Sequence, residues 1–203
     1  MAGIEASLRA SGIHRIAGVD EAGRGPCAGP LVVAAVILKD PDASELKRVR
    51  DSKALTEKVR EELFEVIQGE ALSYSIIEIS PEEIDRIGLH KSNIEGMRRA
   101  IHSLSITPEY VLTDGYAIEG LAISNLAVWK GDQVALSISA ASILAKVYRD
   151  HIMREMDLKY PGYGFARHKG YITAAHTAAL KDLGVTEIHR KSFANIASLS
   201  INR

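Results

Sequence analysis

The sequence holds a single cysteine, Cys27. An intrachain disulfide is therefore impossible, a zinc site built from several cysteines is excluded, and a reducing cytoplasm is the expected setting. No apolar run approaches the ~18 residues that a membrane-spanning helix requires. The opening stretch MAGIEASLRASG lacks an apolar segment of signal-peptide length, so a soluble, unsecreted chain without membrane attachment is expected. Internal repeats, low-complexity tracts and long Pro/Gly/Ser-rich linkers are missing too. The 203 residues are accordingly read as one domain, and their 46% hydrophobic content supplies a proper core.

A large excess of charge is also missing. A formal net charge of −1 argues against a protein that coats nucleic acid indiscriminately. The balance nevertheless differs along the chain. Residues 159–203 carry seven Lys and Arg against two acids, a net of +5, which leaves −6 on residues 1–158. An acidic body beside a basic end suits a body that holds metal and an end that holds a polyanion; scatter of surface charge is the plainer alternative.

Apolar periodicity gives the order of elements. HRIAGVD (His14 to Asp20) and GPLVVAAVIL (Gly29 to Leu38) read as an antiparallel hairpin of two buried strands. A helix follows, capped by Thr56, with Val59, Leu63, Val66 and Ile67 on one face. Leu72 to Ser80 is a third strand. Ser80 and Pro81 then open a helical stretch in which Ile94, Met97, Ile101 and Leu104 share a face. EYVLTDG and LAISNLAVW supply two more strands, and a long helix is expected to begin just after Asp132. The sum is an α/β order with an antiparallel opening and a mixed sheet.

Acids stand at the punctuation points of this pattern. Asp20 and Glu21 close the first strand, Asp114 closes another, and Asp132 precedes a helix. If the strands of Asp20 and Asp114 are parallel neighbours, their carboxyl ends meet at one sheet edge. Four converging carboxylates need a cation, and oxygen-only ligands suit Mg²⁺ or Mn²⁺. Because neighbouring residues of a regular strand face opposite ways, the strand is expected to break at Asp20 and Glu21 to swing into the turn. Each acid also has a plain structural reading: Asp114 before Gly115 as a turn, Asp132 as a helix-start charge. In GRGPCAG, Gly23 and Gly25 offer backbone without side chain and Arg24 a phosphate partner. The stretch is no dinucleotide fingerprint, since a strand follows it rather than a helix; a tight hairpin turn is the alternative.

Taken in order, GVDEAGRGPCAGPLVVAAVIL, DSKALTEKVREELF, LTDG, KGDQVALSISAASILAKVYRD, YPGYGFARHKGYITAAH and IHRKSF resemble the type 2 ribonuclease H family, bacterial ribonuclease HII in particular, from about Ile16 to Phe193. The resemblance implies a ribonuclease H-like α/β fold, a five-stranded mixed sheet flanked by helices. It divides the single domain of residues 1–203 into a catalytic core of about 14–158 and a basic C-terminal helical extension of about 159–203 that helps hold the duplex. It implies an endonuclease that cuts the RNA strand of RNA–DNA hybrids and incises 5′ of single ribonucleotides in duplex DNA. Asp20, Glu21, Asp114 and Asp132 match the family's catalytic metal set, holding two Mn²⁺ or Mg²⁺ ions during catalysis, with 5′-phosphate and 3′-hydroxyl products.

The same resemblance assigns Gly23, Arg24 and Gly25 to the ribonucleotide's 2′-hydroxyl and neighbouring phosphate. It places Tyr171 on the following sugar, and Lys53, Lys146, Arg149 and Lys169 at phosphate or site-supporting contacts. None of His168, His176 and His189 is assigned to metal. The chain departs from the usual pattern at Ala54, Cys27 and Tyr148, none of them a proposed ligand. A monomer is expected, and NIASLSINR shows no aromatic pair of the kind that docks sliding clamps. Two further readings use the same residues: a DNA nuclease of the resolvase or transposase type, which gives GRG and HKGY no purpose, and a non-catalytic nucleic-acid binder, which gives the four acids none.

Overall fold

The computed structural model describes residues 3–200, with the side chains of residues 50–54 and 200 outside that description. In chain order the elements are α1 (Ile4–Ala10), β1 (Ile16–Ala22), β2 (Leu31–Leu38), a 3-10 helix (Ser44–Ala54), α2 (Glu57–Glu70), β3 (Ala71–Ile79), α3 (Pro81–Ile87), α4 (Leu89–His102), β4 (Tyr110–Asp114) and β5 (Asn125–Val128). The helices α5 (Gly131–Val134), α6 (Leu136–Lys159), α7 (Phe165–His168), α8 (Ala174–Leu183) and α9 (Ala194–Ser200) follow. The strands form one five-stranded sheet of order β3-β2-β1-β4-β5. The pairs β1–β2 and β2–β3 are antiparallel, whereas β1–β4 and β4–β5 are parallel. The fold class read from the sequence is the one observed.

β2 is apolar at every position because both faces of the sheet are covered. Val32, Ala34, Val36 and Leu38 face a cluster with Leu63, Ile67 and the buried side of α6. Leu31, Val33, Ala35 and Ile37 face Ile84, Met97, Ala100 and Ile101 of α3 and α4. Predicted caps hold: Thr56 Oγ accepts from the Val59 N–H at 3.4 Å, and Ser80 Oγ from the Glu83 N–H at 3.1 Å, with Pro81 opening α3. α6 lies directly on β1. A side-chain carbon at Gly18 would come within 2.0 Å of the Ser137 carbonyl carbon, so only glycine admits that approach.

Two expectations are corrected. β1 does not break at Asp20: it pairs on through Ala22, with Asp20 opposite Ala34 and Glu21 opposite Val33. The hairpin register continues past the acids and leaves them on alternate faces. The helix expected just after Asp132 comes in two pieces, since Ala135 is extended (φ −125°, ψ 123°) between α5 and α6. The cause is Glu5 of α1, whose carboxylate accepts the Leu136 N–H at 2.7 Å and the Ser137 N–H at 3.0 Å. A carboxylate on the free amides of a helix start is favourable and restarts the helix there.

The C-terminal helices have a core of their own. Met153, Tyr163, Phe165, Leu180 and Ile196 enclose Cys27 and Ala28 from the β1–β2 turn. That turn is also held by the Ala28–His189 bridge. No helix among the described residues is long and apolar enough to cross a membrane.

Candidate active site

The parallel β1–β4 register places Val19 opposite Thr113, so Asp20 and Asp114 come next on neighbouring strands, side by side. Asp20 is only 6% exposed. Burial pushes its carboxyl well above the usual range; repulsion from Glu21 and Asp114 adds to this, and the Ser142 hydroxyl of α6 opposes it. Burial likewise raises Glu21 to about 7, against the pull of Arg24 and Asn93. One Asp20 oxygen accepts the Glu21 N–H at 2.7 Å, which fixes the first carboxylate against the strand. Asp114 Oδ1 accepts the Gly131 N–H at 2.8 Å, anchoring the start of α5 to the end of β4. Asp132, 2% exposed, is the next residue of α5 and lines a second hollow with Glu5, Arg9 and Asp42.

The GRG turn leaves β1 directly beneath these acids and is braced from behind by two buried arginines. Arg149 of α6 donates to the carbonyls of Pro30, Lys169 and Ala28 at 2.9–3.0 Å. Arg190 donates to Gly23, Arg24 and Gly29. Burial drives both guanidiniums down, to about 10 and about 9. Gly23 has a φ of +98°, and a side-chain carbon there would lie 2.1 Å from Arg149 Nε, so conformation and space both demand glycine. Arg24 lies over the Tyr116 ring at 4.5 Å, bonds the Tyr116 hydroxyl, and reaches Glu21 Oε1 at 3.6 Å.

One open hollow of about 450 Å³ gathers Glu21, Gly23, Arg24, Gly25, Arg60, Ser142, Lys146, Arg149 and Tyr171. Six of the residues singled out as substrate contacts therefore share a surface with Glu21. The Tyr171 ring, 49% exposed, overlies Gly25, where an added carbon would be 3.3 Å from Cε1. Lys146 is paired with Asp150, and burial lowers its pKa. Lys169 turns its ammonium to the Ala166 carbonyl at 2.7 Å, with Glu57 at 3.8 Å, and supports the site through its own carbonyl on Arg149. Lys53 lies among the residues whose side chains are outside the description.

Behind Tyr171 runs a buried histidine chain. His176 Nδ1 donates to the Tyr171 carbonyl at 3.0 Å, and His176 Nε2 lies 3.1 Å from His189 Nε2. His189 Nδ1 accepts the Thr186 N–H at 3.0 Å. These partners make both rings neutral, with His189 the donor to His176.

A family model described as ribonuclease HII matches residues 17–196. The chain belongs to the ribonuclease HII family. It is 54% identical over 194 residues to the ribonuclease HII of Nocardioides sp., covering 96% of this chain and 81% of that one. It superposes with a TM-score of 0.81 on the crystal structure of ribonuclease H2 from Pyrococcus horikoshii OT3, at 28% identity over 93% of this chain and 98% of that chain. Bst-RNase HIII, solved in complex with Mn²⁺, shares the fold at a TM-score of 0.71 and 18% identity, covering 98% of this chain and 73% of that chain. Ribonuclease HII is a divalent-metal-dependent endoribonuclease that acts on RNA–DNA hybrids.

The ribonuclease HII acids here fit such an ion. The donors are all oxygen, which Mg²⁺ and Mn²⁺ take. Glu21 Oε2 is buried without a hydrogen-bond partner. Burial, the main cause of the raised Asp20 and Glu21 carboxyls, and their charge repulsion with Asp114 are both relieved by a bound cation. Among the described residues no three acid, histidine or cysteine side chains are drawn into a ready cage. Asp20, Glu21 and Asp114 are instead coupled through their charges, and Asp132 stands on a separate hollow.

Four site residues escaped the sequence reading. Arg190 sits in the quoted IHRKSF, where a basic residue reads as surface. Arg60 on α2, Asn93 on α4 and Tyr116 just after β4 were not singled out.

Proposed function

We propose that this enzyme incises duplex DNA on the 5′ side of an embedded single ribonucleotide, as well as cutting long hybrids. The observation that carries this reading is the joining of the GRG turn, Tyr171 and the Glu21 carboxylate in one hollow beside Asp20 and Asp114. Backbone groups of Gly23 to Gly25 receive the ribose 2′-hydroxyl, the group that separates RNA from DNA. Tyr171 packs on the next sugar, where a deoxyribose fits closely. Arg24, Lys146 and the basic C-terminal portion hold phosphates, with Lys53 and Lys169 in support, and Arg149 fixes the turn's shape.

Asp20, Glu21, Asp114 and Asp132 hold two divalent ions, Mg²⁺ or Mn²⁺, in this reading. When bound, such ions supply an activated water and stabilise the leaving 3′ oxygen, giving 5′-phosphate and 3′-hydroxyl ends. No side-chain nucleophile is required. The chain acts as a monomer in this reading.

The test is Asp20→Asn, assayed for cleavage and, by anisotropy of a labelled duplex, for binding. Turnover is expected to fall at least about a thousandfold with duplex affinity within a few-fold of the parent chain. Full turnover by the variant removes Asp20 from the ion site and the reading with it.

A further inference from the structure

Trp129 is the chain's single tryptophan, and it is 81% exposed. It follows β5 directly, where Val128 pairs with Asp114. Its position is fixed: the Gly115 N–H donates to the Val128 carbonyl at 3.0 Å, and the Gly131 N–H to Asp114. Between Trp129 and Gly131, Lys130 is held in the left-handed region at φ 53°. Side chains rarely take that conformation, and they keep it only where neighbouring bonds impose it. An indole in water on a backbone so held, beside the acid edge of a nuclease, differs from singly scattered apolar surface.

The sheet order sets its place relative to substrate. The GRG turn and Tyr171 lie off β1, on one side of the Asp20–Asp114 pair, and Trp129 lies at the end of β5 on the other. Two strand spacings separate β1 from β5, ~10 Å, which corresponds to about three nucleotide steps at ~3.4 Å each. We propose that Trp129 and Lys130 form a substrate contact on the far side of the cleavage point. The indole packs against sugars about two or three nucleotides 5′ of the ribonucleotide, and the Lys130 ammonium meets their phosphate. Tyr171 takes the 3′ side, so strand polarity gives Trp129 the 5′ side. This rests on the nuclease reading above.

A lone tryptophan reports its own contact. The Asp20→Asn chain with Mg²⁺, and the parent chain in chelator as a parallel, are titrated with a ribonucleotide-bearing duplex. Indole emission and labelled-duplex anisotropy are followed together. The expected result is an emission change with reduced acrylamide quenching as anisotropy rises. Truncating the duplex at the ribonucleotide on the 5′ side abolishes the emission change, whereas 3′ truncation preserves it. Trp129→Ala raises KM about fivefold with kcat nearly unchanged, and Trp129→Phe recovers most of the loss. Full binding with unchanged emission, an emission change lost on 3′ rather than 5′ truncation, or an unaltered KM in Trp129→Ala overturns this contact alone. Absence of any duplex binding overturns the nuclease reading and the contact together.

Discussion

Arg190 Nη2 donates to the Gly23 carbonyl at 2.6 Å, tying the last basic motif of the chain to its first turn. The same guanidinium serves Gly29 and Arg24, so three carbonyls of the GRG region depend on one buried side chain. Arg190→Ala leaves these carbonyls unpaired beneath the site and is expected to cost about 3 kcal/mol, a fall in Tm of about 10 °C. Lysine keeps the charge but lacks the fork, and recovers less than half. Thermal unfolding of the two variants checks this, and an unshifted Tm in Arg190→Ala speaks against bracing.

Ion binding should compete with protons. Burial chiefly raises Glu21 to about 7 and lifts Asp20 well above its usual range. Below about pH 7 an incoming cation must displace protons, so Mn²⁺ affinity is expected to weaken there by about tenfold per pH unit for each proton displaced. Calorimetric titration across that range measures it. A flat affinity contradicts the placement of the buried acids at the ion.

The histidine chain behind Tyr171 sets an acid limit on stability. Burial lowers both rings, and repulsion from neighbouring histidines adds to it, taking His189 to about 4. Unfolded histidine titrates near ~6.5, so above that pH both states are neutral and the contribution is fully present. As pH falls from there toward 4, the unfolded chain takes up a proton that the fold refuses. Stability drops by about 1.4 kcal/mol per pH unit for His189, up to about 3 kcal/mol, and the lowered His176 adds to the fall in the same direction. His189→Gln should be less stable at neutral pH yet flatter in its dependence, as denaturant unfolding at a series of pH values will read. An equal slope in the parent and the variant contradicts the neutral pair.

Strand ends were legible because the apolar runs stop at acids: Asp20 and Asp114 emerge as neighbours once β1 and β4 are taken as parallel. Glu21 was harder. Local alternation suggested that the strand must break and swing it into the turn, whereas the hairpin register carries β1 through Ala22 and the acids couple through their charges. The interruption between α5 and α6 was invisible because its cause, Glu5, is 131 residues away in sequence. Arg149 was singled out as a phosphate or site-supporting contact but Arg190 was not, and only the carbonyls that surround them explain the burial of both. Long-range backbone acceptors of this kind leave no periodic mark on a sequence.

The most direct measurement is end-mapped cleavage of a DNA duplex bearing one ribonucleotide, run beside an all-DNA duplex and a long RNA–DNA hybrid, each with Mg²⁺, Mn²⁺ or chelator. Metal-dependent incision on the 5′ side of the lone ribonucleotide, leaving a 3′-hydroxyl and a 5′-phosphate, with the all-DNA duplex untouched, is the predicted result. Cutting of the long hybrid alone, or equal cutting of all-DNA, would contradict the assignment of the GRG turn and Tyr171 to the ribonucleotide and the sugar that follows it.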